Sequence, residues 1–165
     1  MTTWATRSRE ERGLLNPSFC SMLLWHAARG RVRDNINPLS FEEAFLVLPL
    51  VLHRQTREDL PRTLRTSLAV WLDSNPLARG RVANRAKLLV PFTKEALTFA
   101  GVHNFIEIRS GQLLPVNTKS KVVKSFLLTT SGEVRECAKK AEFVGKWFAE
   151  AGSPATVLAL VGVRP

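Results

Sequence analysis

The sequence predicts a mainly α-helical protein of one domain, with a helical part, a short β-hairpin and further helices packed at the C-terminal end. Helix-starting residues recur ahead of apolar residues at helical spacing, which supports the helices. Two short strand-like runs, Phe105 to Ile108 and Leu113 to Val116, flank a glycine-containing turn, which supports the hairpin. The length of 165 residues and the hydrophobic content of 45% suit one domain, 1–165, with its own core.

The first strong helix start is Asn16-Pro17. Asparagine accepts free amide protons at a helix start, and proline already has the helical φ. We expect this helix to run to about Arg29 and to stop at Gly30. Its apolar residues surround most of the helix, so it is predicted to pack on several sides.

The second helix is predicted from Phe41, because Ser40 and Glu43 form a capping box. Pro49 lies inside it and predicts a kink or a break, since proline removes an amide donor and clashes with the preceding turn. The following residues, 54–65, are polar and basic and predict a connection or a short irregular helix.

Two more helices are predicted before the hairpin. One runs from Thr66 to about Asp73, and the next begins near Pro76 and stops at Gly101. Pro91 is expected to kink the second of these or to make it restart two residues later. Three helices followed by a two-stranded hairpin is the element order of a winged-helix unit, which we place at about residues 40–118.

The rest of the chain divides into a tether and a C-terminal helical part. Residues 117–124 hold three lysines and are expected to be an exposed tether. The C-terminal part, about 133–165, contains a helix from Glu133 to Ala151 and a final apolar segment from Ala155 to Val161. Ser153-Pro154 starts that last segment.

Positive charge is concentrated in the middle of the chain. The formal net charge is +10, and the segment from Pro61 to Ser125 holds 11 Lys and Arg against 3 Asp and Glu. The segments before and after it hold 8 against 7 and 5 against 4. Clustered like charges repel one another and disfavour a compact fold unless a ligand of opposite charge binds there. The segment therefore predicts a surface that binds a polyanion, above all nucleic acid. A solvated face and an anionic membrane surface are the alternatives, although no run approaches the roughly 18 apolar residues of a spanning helix.

Arginine dominates the stretch from Arg54 to Arg85, and its planar fork suits phosphate and carboxylate equally, so an acidic protein partner stays an alternative. In a winged helix, the third helix and the hairpin commonly face the duplex. The candidate residues for a nucleic acid or an acidic partner are Arg54, Arg57, Arg62, Arg65, Arg79, Arg81, Arg85, Lys87, Arg109, Lys119, Lys121 and Lys124.

No constellation in the sequence supports catalysis. The chain has no H-E-x-x-H, C-x-x-C or G-x-S-x-G pattern, and His26, His53 and His103 lack a second ligand at metal spacing. Gly145-Lys146 lacks the upstream glycine and the following Ser or Thr of a phosphate loop. We therefore expect no enzymatic activity, no cofactor and no metal.

The two cysteines, Cys20 and Cys137, lie far apart on predicted helices and are expected to be buried thiols. The first twelve residues lack the apolar core of a secretory signal, which predicts a cytoplasmic protein.

Several residue strings occur together in one order. They are Asn16-Pro17-Ser18-Phe19-Cys20, Leu48-Pro49-Leu50-Val51-Leu52-His53, Leu60-Pro61-Arg62-Thr63, Lys139 to Phe148, and Gly162-Val163-Arg164-Pro165. In this order they resemble the middle component of bacterial three-component ABC-type conflict systems, the group that includes Lamassu defence operons. The resemblance spans Leu15 to Pro165 and is weakest over residues 104–132.

The resemblance implies a set of partners. In such systems the middle component is encoded beside a coiled-coil ATPase of the SMC/Rad50 type and an effector, often a nuclease, and the three act against phage or plasmid DNA. The chain is then expected to be a non-catalytic adaptor that links the ATPase to the effector and contacts double-stranded DNA.

The last apolar segment, Ser153 to Val163, carries no charge, so it needs burial against the core or against a partner. The candidate residues for docking a partner are Trp147, Phe148, Val157, Leu160, Val161, Val163 and Arg164. A competing interpretation is a free-standing winged-helix transcription regulator, which would favour a symmetric dimer and a specific operator.

Overall fold

The structure is a computed structural model that describes residues 6–34 and 37–163. Most of these residues are helical, as the sequence predicts. The helices are α1 (Arg9–Leu14), α2 (Pro17–Asp34), α3 (Phe41–Val51), α4 (Arg54–Asp59), α5 (Leu68–Ser74), α6 (Pro76–Val102), α7 (Ser120–Thr129), α8 (Gly132–Glu150) and α9 (Pro154–Val161). The strands are β1 (Leu39–Ser40), β2 (Ile106–Arg109) and β3 (Gln112–Pro115).

The predicted helix starts are confirmed by the capping hydrogen bonds. The Asn16 side chain accepts from the Ser18 amide at 2.8 Å, in the first turn of α2. Ser40 and Glu43 accept each other's amide protons at 3.1 and 2.9 Å, which is the complete capping box at the start of α3. Local sequence therefore determines where these helices begin.

Two prolines do not interrupt their helices. Pro49 lies inside α3, which ends only two residues later, so the lost amide donor affects the last turn alone. Pro91 lies inside α6, which is continuous from Pro76 to Val102. Pro91 is exposed, so water can bind the carbonyl that lacks its amide donor. Of the predicted alternatives, the break at Pro49 and the restart after Pro91 were wrong, and a kink at either proline stays a prediction.

The predicted tether was also wrong. Residues 117–119 form a single 3-10 turn, and α7 follows at once. Val123 is buried and Leu127 is half-buried, one helical turn apart, so α7 has an apolar side that packs onto the domain. Lys121 and Lys124 are exposed, whereas Lys119 is half-buried with its ammonium 5.5 Å from the centroid of the Phe105 ring.

The hairpin is confirmed and extends into a small antiparallel sheet in the order β1-β3-β2. Ser110 and Gly111 form its two-residue turn and have φ values of 49° and 74°. Positive φ at both central residues matches the twist of the flanking strands. Phe41 donates its amide to the Gly111 carbonyl at 2.8 Å, so the turn of the hairpin is joined to the start of α3.

Helix α2 packs against α8 with their backbones in contact. A Cβ atom at Gly145 would lie 1.9 Å from the Ala27 carbonyl oxygen, and one at Gly30 would lie 2.1 Å from the Glu142 carbonyl oxygen. Gly30 therefore does not stop α2, which continues to Asp34, but lets a second helix approach. The reciprocal pair of glycines fixes how closely the two helices meet.

Polar and charged side chains lie at the edge of this contact. The Glu142 carboxylate lies 3.8 Å from His26 Nδ1 and 3.4 Å from Lys146 Nζ. The His26 imidazole first, and then the Lys146 ammonium, lower the pKa of Glu142 to about 2, although burial opposes the shift. The carboxylate is thus stabilised in its charged form by both helices.

The core around this contact holds the two free cysteines and large aromatic residues. Cys20 and Cys137 are buried thiols, as predicted. Trp147 and Phe148 are fully buried, and Trp147 meets Trp71 edge to face with ring centroids 5.6 Å apart. No helix in the described part of the chain has the length and apolar character to cross a bilayer.

Replacing Gly145 with alanine should separate α2 from α8, because the new methyl group would overlap the Ala27 carbonyl. We expect the free energy of unfolding to fall by at least about 1–3 kcal/mol, measured by urea unfolding. Gly80→Ala is the matched control. Gly80 lies in α6 with no atom near its Cβ position, so alanine there should raise stability by about 0.5–1 kcal/mol. Equal effects of the two substitutions would contradict the close contact.

The depressed pKa of Glu142 makes a prediction about acid stability. Its contribution should be complete above the ordinary value of 4.5 and should be lost as the pH falls towards about 2. Glu142→Gln should therefore reduce stability at neutral pH by up to about 3 kcal/mol and flatten the stability profile between these pH values. The measurement is urea unfolding at several pH values, and parallel profiles for both proteins would argue against the ion pair.

Candidate functional site

Helix α4 and the first half of α6 bring several basic residues together. His53 caps α4: its Nδ1 accepts from the Thr56 amide at 3.2 Å and lies 3.0 Å from Thr56 Oγ1. From the neighbouring helix, Arg85 donates Nη2–H to Thr56 Oγ1 at 2.7 Å. Because Thr56 accepts from Arg85, its own hydroxyl proton is available to His53. We call His53, Arg57, Arg81 and Arg85 the basic cluster.

The basic cluster carries an excess of positive charge, although Arg57 is paired with Glu133. Burial first, and then the guanidinium groups of Arg85, Arg81 and Arg57, lower the pKa of His53, and the Asp59 carboxylate partly opposes them. Burial and the nearby Arg81 lower the pKa of Arg85. Within residues 6–34 and 37–163, no ion pair to a carboxylate is found for Arg81 or Arg85. An anion placed here would relieve this repulsion.

Arg57 is bound inside the domain. Its side chain is 5% exposed, and its guanidinium donates to the Val51 and Leu52 carbonyls at 2.8 and 3.3 Å and to Glu133 at 2.9 Å. These bonds satisfy carbonyls at the end of α3 and connect them to the start of α8. Arg57 contributes charge to the cluster, but its donors are occupied.

The other candidate basic residues are spread over the surface. Arg54 is exposed and paired with Glu58 at 2.8 Å, and Arg109 is exposed on the hairpin and paired with Glu107 at 2.7 Å. Arg79 lies against Gly162, beside the C-terminal end of α9, where a cation is favourable. The remaining candidates lie on the connection before α5, on α6 and on the α7 segment: Arg62, Arg65, Lys87, Lys119, Lys121 and Lys124.

The predicted docking residues divide into two groups. Four of them are buried in the chain's own core: Trp147, Phe148, Val157 and Val161. Trp147 also donates its indole N–H to the Thr66 carbonyl at 2.8 Å. Leu160 and Val163 are half-exposed, and Arg164 lies outside the described residues. Apolar surface for a partner is thus offered at Leu160 and Val163 and not at the tryptophan.

Sequence reasoning did not place His53 and Thr56 beside the arginines. His53 accepts from the Thr56 amide and so caps α4, but histidine is not one of the usual N-cap residues, so the sequence gives no signal for it. The approach of Arg85 depends on the packing of α6, where it lies 29 residues after Thr56.

The fold and this surface define a small, mainly helical protein with a cationic cluster in which Arg81 and Arg85 have no carboxylate partner within the described residues. The particular family follows from comparison with known proteins. Residues 4–165 match the family described as ABC-three component (ABC-3C) system Middle Component 3, and the chain belongs to that family. No curated protein and no solved structure matches the chain.

The two kinds of arginine in the cluster should respond differently to removal. Arg57→Ala removes the guanidinium donors from the Val51 and Leu52 carbonyls and the partner of Glu133, so we expect a loss of about 1–3 kcal/mol in the free energy of unfolding. Arg81→Ala removes an exposed side chain and should change stability by less than about 0.5 kcal/mol. Urea unfolding of both variants tests this, and a small effect of Arg57→Ala would exclude its structural role.

Proposed function

We propose that this chain is the non-catalytic adaptor subunit of its ABC-three component system. In this role it joins an SMC/Rad50-like ATPase to an effector nuclease, and the complex acts against phage or plasmid DNA. The observation that carries the proposal is the family match, which extends over residues 4–165 and therefore over nearly the whole chain. A middle component acts through the other components of its system.

The state of the two thiols is in keeping with a non-catalytic role. Burial raises the pKa of Cys20 to about 12 and also raises the pKa of Cys137. Both therefore stay protonated at neutral pH, whereas a nucleophilic cysteine needs an accessible thiolate.

The basic cluster is the candidate contact to DNA in this proposal. Arg81 is exposed, and its guanidinium can bind a phosphate with two parallel hydrogen bonds. Repulsion between Arg81 and Arg85 would fall when a phosphate binds between them. An acidic groove of the ATPase would satisfy the same charges and is the alternative ligand.

Co-purification tests the adaptor role most directly. The tagged chain is expressed with its neighbouring genes, and the mass of each assembly is determined. We expect a complex that contains the ATPase and the effector, whereas a chain that stays alone would reject the adaptor role.

A free-standing winged-helix regulator is the second candidate. It is favoured by the strand order β1-β3-β2 and by the hairpin that follows α6, because a winged-helix unit also combines helices with a short antiparallel sheet. A stable homodimer that protects a palindrome near its own promoter would support this candidate over the adaptor.

Charge reversal tests the DNA contact. Arg81→Glu should weaken binding to double-stranded DNA several-fold and reduce the salt slope of log K by about one, because one phosphate contact is lost. Lys139→Glu on α8 is the matched control, since its side chain is 73% exposed and lies outside the candidate set. Equal affinities of the two variants would remove the cluster from the DNA interface.

The same interface has a spectroscopic signature. Burial and then the cluster's arginines lower the pKa of His53 in the free protein, so a phosphate bound among the arginines should raise it. The measurement is an NMR titration of His53 with and without a short DNA duplex, and a pKa that does not move would place the DNA elsewhere.

A further inference from the structure

An apolar groove lies between α3, α6 and α9, on a different side of α6 from the basic cluster. Its volume is about 280 Å³, and its walls include the half-exposed side chains of Phe41, Phe45, Val90 and Val163. The two phenylalanines meet edge to face with centroids 5.3 Å apart, so they form one continuous apolar wall. Side chains of a ligand can enter this recess, whereas a whole helix, about 10–12 Å across, must lie over it.

The groove continues along α9 as a second recess, which shares Leu158 and Val163 with the first. Along it, α9 exposes Ala155, Ala159 and the following Gly162, which lie on one side of the helix. Small side chains at this spacing let another helix approach closely along the same line.

The rim of the groove is basic on the α6 side and acidic on the α3 side. Lys87 and Lys94 lie on the α6 side, seven residues apart, which is two helical turns or about 10 Å. Both are exposed, and no ion pair is found for either within residues 6–34 and 37–163. Glu42 lies on the opposite, α3 side. A ligand that complements this rim has acidic groups on one flank and a basic or neutral group on the other.

We infer that the groove is the docking site for an amphipathic helix of another component of the system. The apolar face of that helix fills the recess, and its acidic flank faces Lys87 and Lys94. This inference rests on the proposed adaptor function and adds to it the surface and the chemistry of the partner. It also assigns a role to Val163, which the sequence predicted to dock a partner.

Two variants test the groove. Val90→Asp places a negative charge on the apolar wall of the groove. The double variant Lys87→Glu/Lys94→Glu reverses the charge of its basic rim. Each should weaken assembly of the chain with the co-expressed components by at least about tenfold, the loss expected for a central interface contact. The matched control is Arg9→Glu/Arg12→Glu on α1, two exposed residues outside the candidate sets, which changes the net charge equally and should leave assembly unchanged.

The readouts separate this inference from the adaptor proposal. If the wild-type chain does not assemble with the components, the adaptor proposal fails. If the wild-type chain and both groove variants assemble equally well, the adaptor proposal stands and the groove inference is overturned. Thermal unfolding of each variant verifies that it is folded, and Lys94→Glu alone, a fully surface change, replaces Val90→Asp if that variant does not fold.

Crosslinking identifies the occupant. A photoreactive phenylalanine analogue at position 45 is expected to crosslink to a segment of the ATPase or effector that has acidic residues on one flank of an apolar face. A crosslink to a second copy of this chain, or to a segment that is basic on the flank facing Lys87, would overturn the inference. So would a rim reversal that lowers DNA affinity while assembly is unchanged.

Discussion

The contact between α2 and α8 is the constraint on which the rest of the structure depends. Gly30 and Gly145 each lie against a backbone carbonyl of the opposite helix, so the two helix axes come as close as backbone atoms permit. Such an approach tolerates almost no change, because close-packed interiors cannot absorb an added methyl group without moving the backbone. The remaining helices then pack around this pair.

This central pair also explains which aromatic residues are available to a partner. Trp147 and Phe148 are on α8, two and three residues after Gly145, and the close contact carries them into the core. Trp147 reaches Trp71 and the Thr66 carbonyl, so α8 fixes the position of the chain around α5. Apolar surface remains where α9 ends, at Val163, which is half-exposed.

Local signals in the sequence predicted the start of nearly every element they addressed. Capping at Ser40 and Glu43 and the turn at Ser110 and Gly111 depend on neighbouring residues alone, so they can be recognised without a fold. The errors arose where a residue has a local and a long-range role. Gly30 is a helix stop by propensity, yet it serves close packing, and Pro91 is a helix breaker whose cost is small on an exposed side.

The sequence predicted which types of residue form the candidate site but not how the fold arranges them. Excess charge identified the middle of the chain, and arginine at positions 81 and 85 was correctly singled out as part of one helix. The sequence could not show that Arg57 turns inward to the end of α3, because its acceptors are backbone carbonyls with no side-chain signature. Similarly, the groove is built from three helices that are distant in sequence.

Helix α6 has a geometric consequence for the whole assembly. Arg81 and Arg85 lie on one side of it, and Ala86 and Val90 face the groove on another, so a single helix separates the two surfaces. Its uninterrupted 27 residues make a rod about 40 Å long. If both surfaces are occupied, the spacing between nucleic acid and partner helix is set by the width of one helix. Movement of the partner would then displace the bound duplex directly, and the chain would work as a fixed spacer that needs no internal rearrangement to transmit that movement.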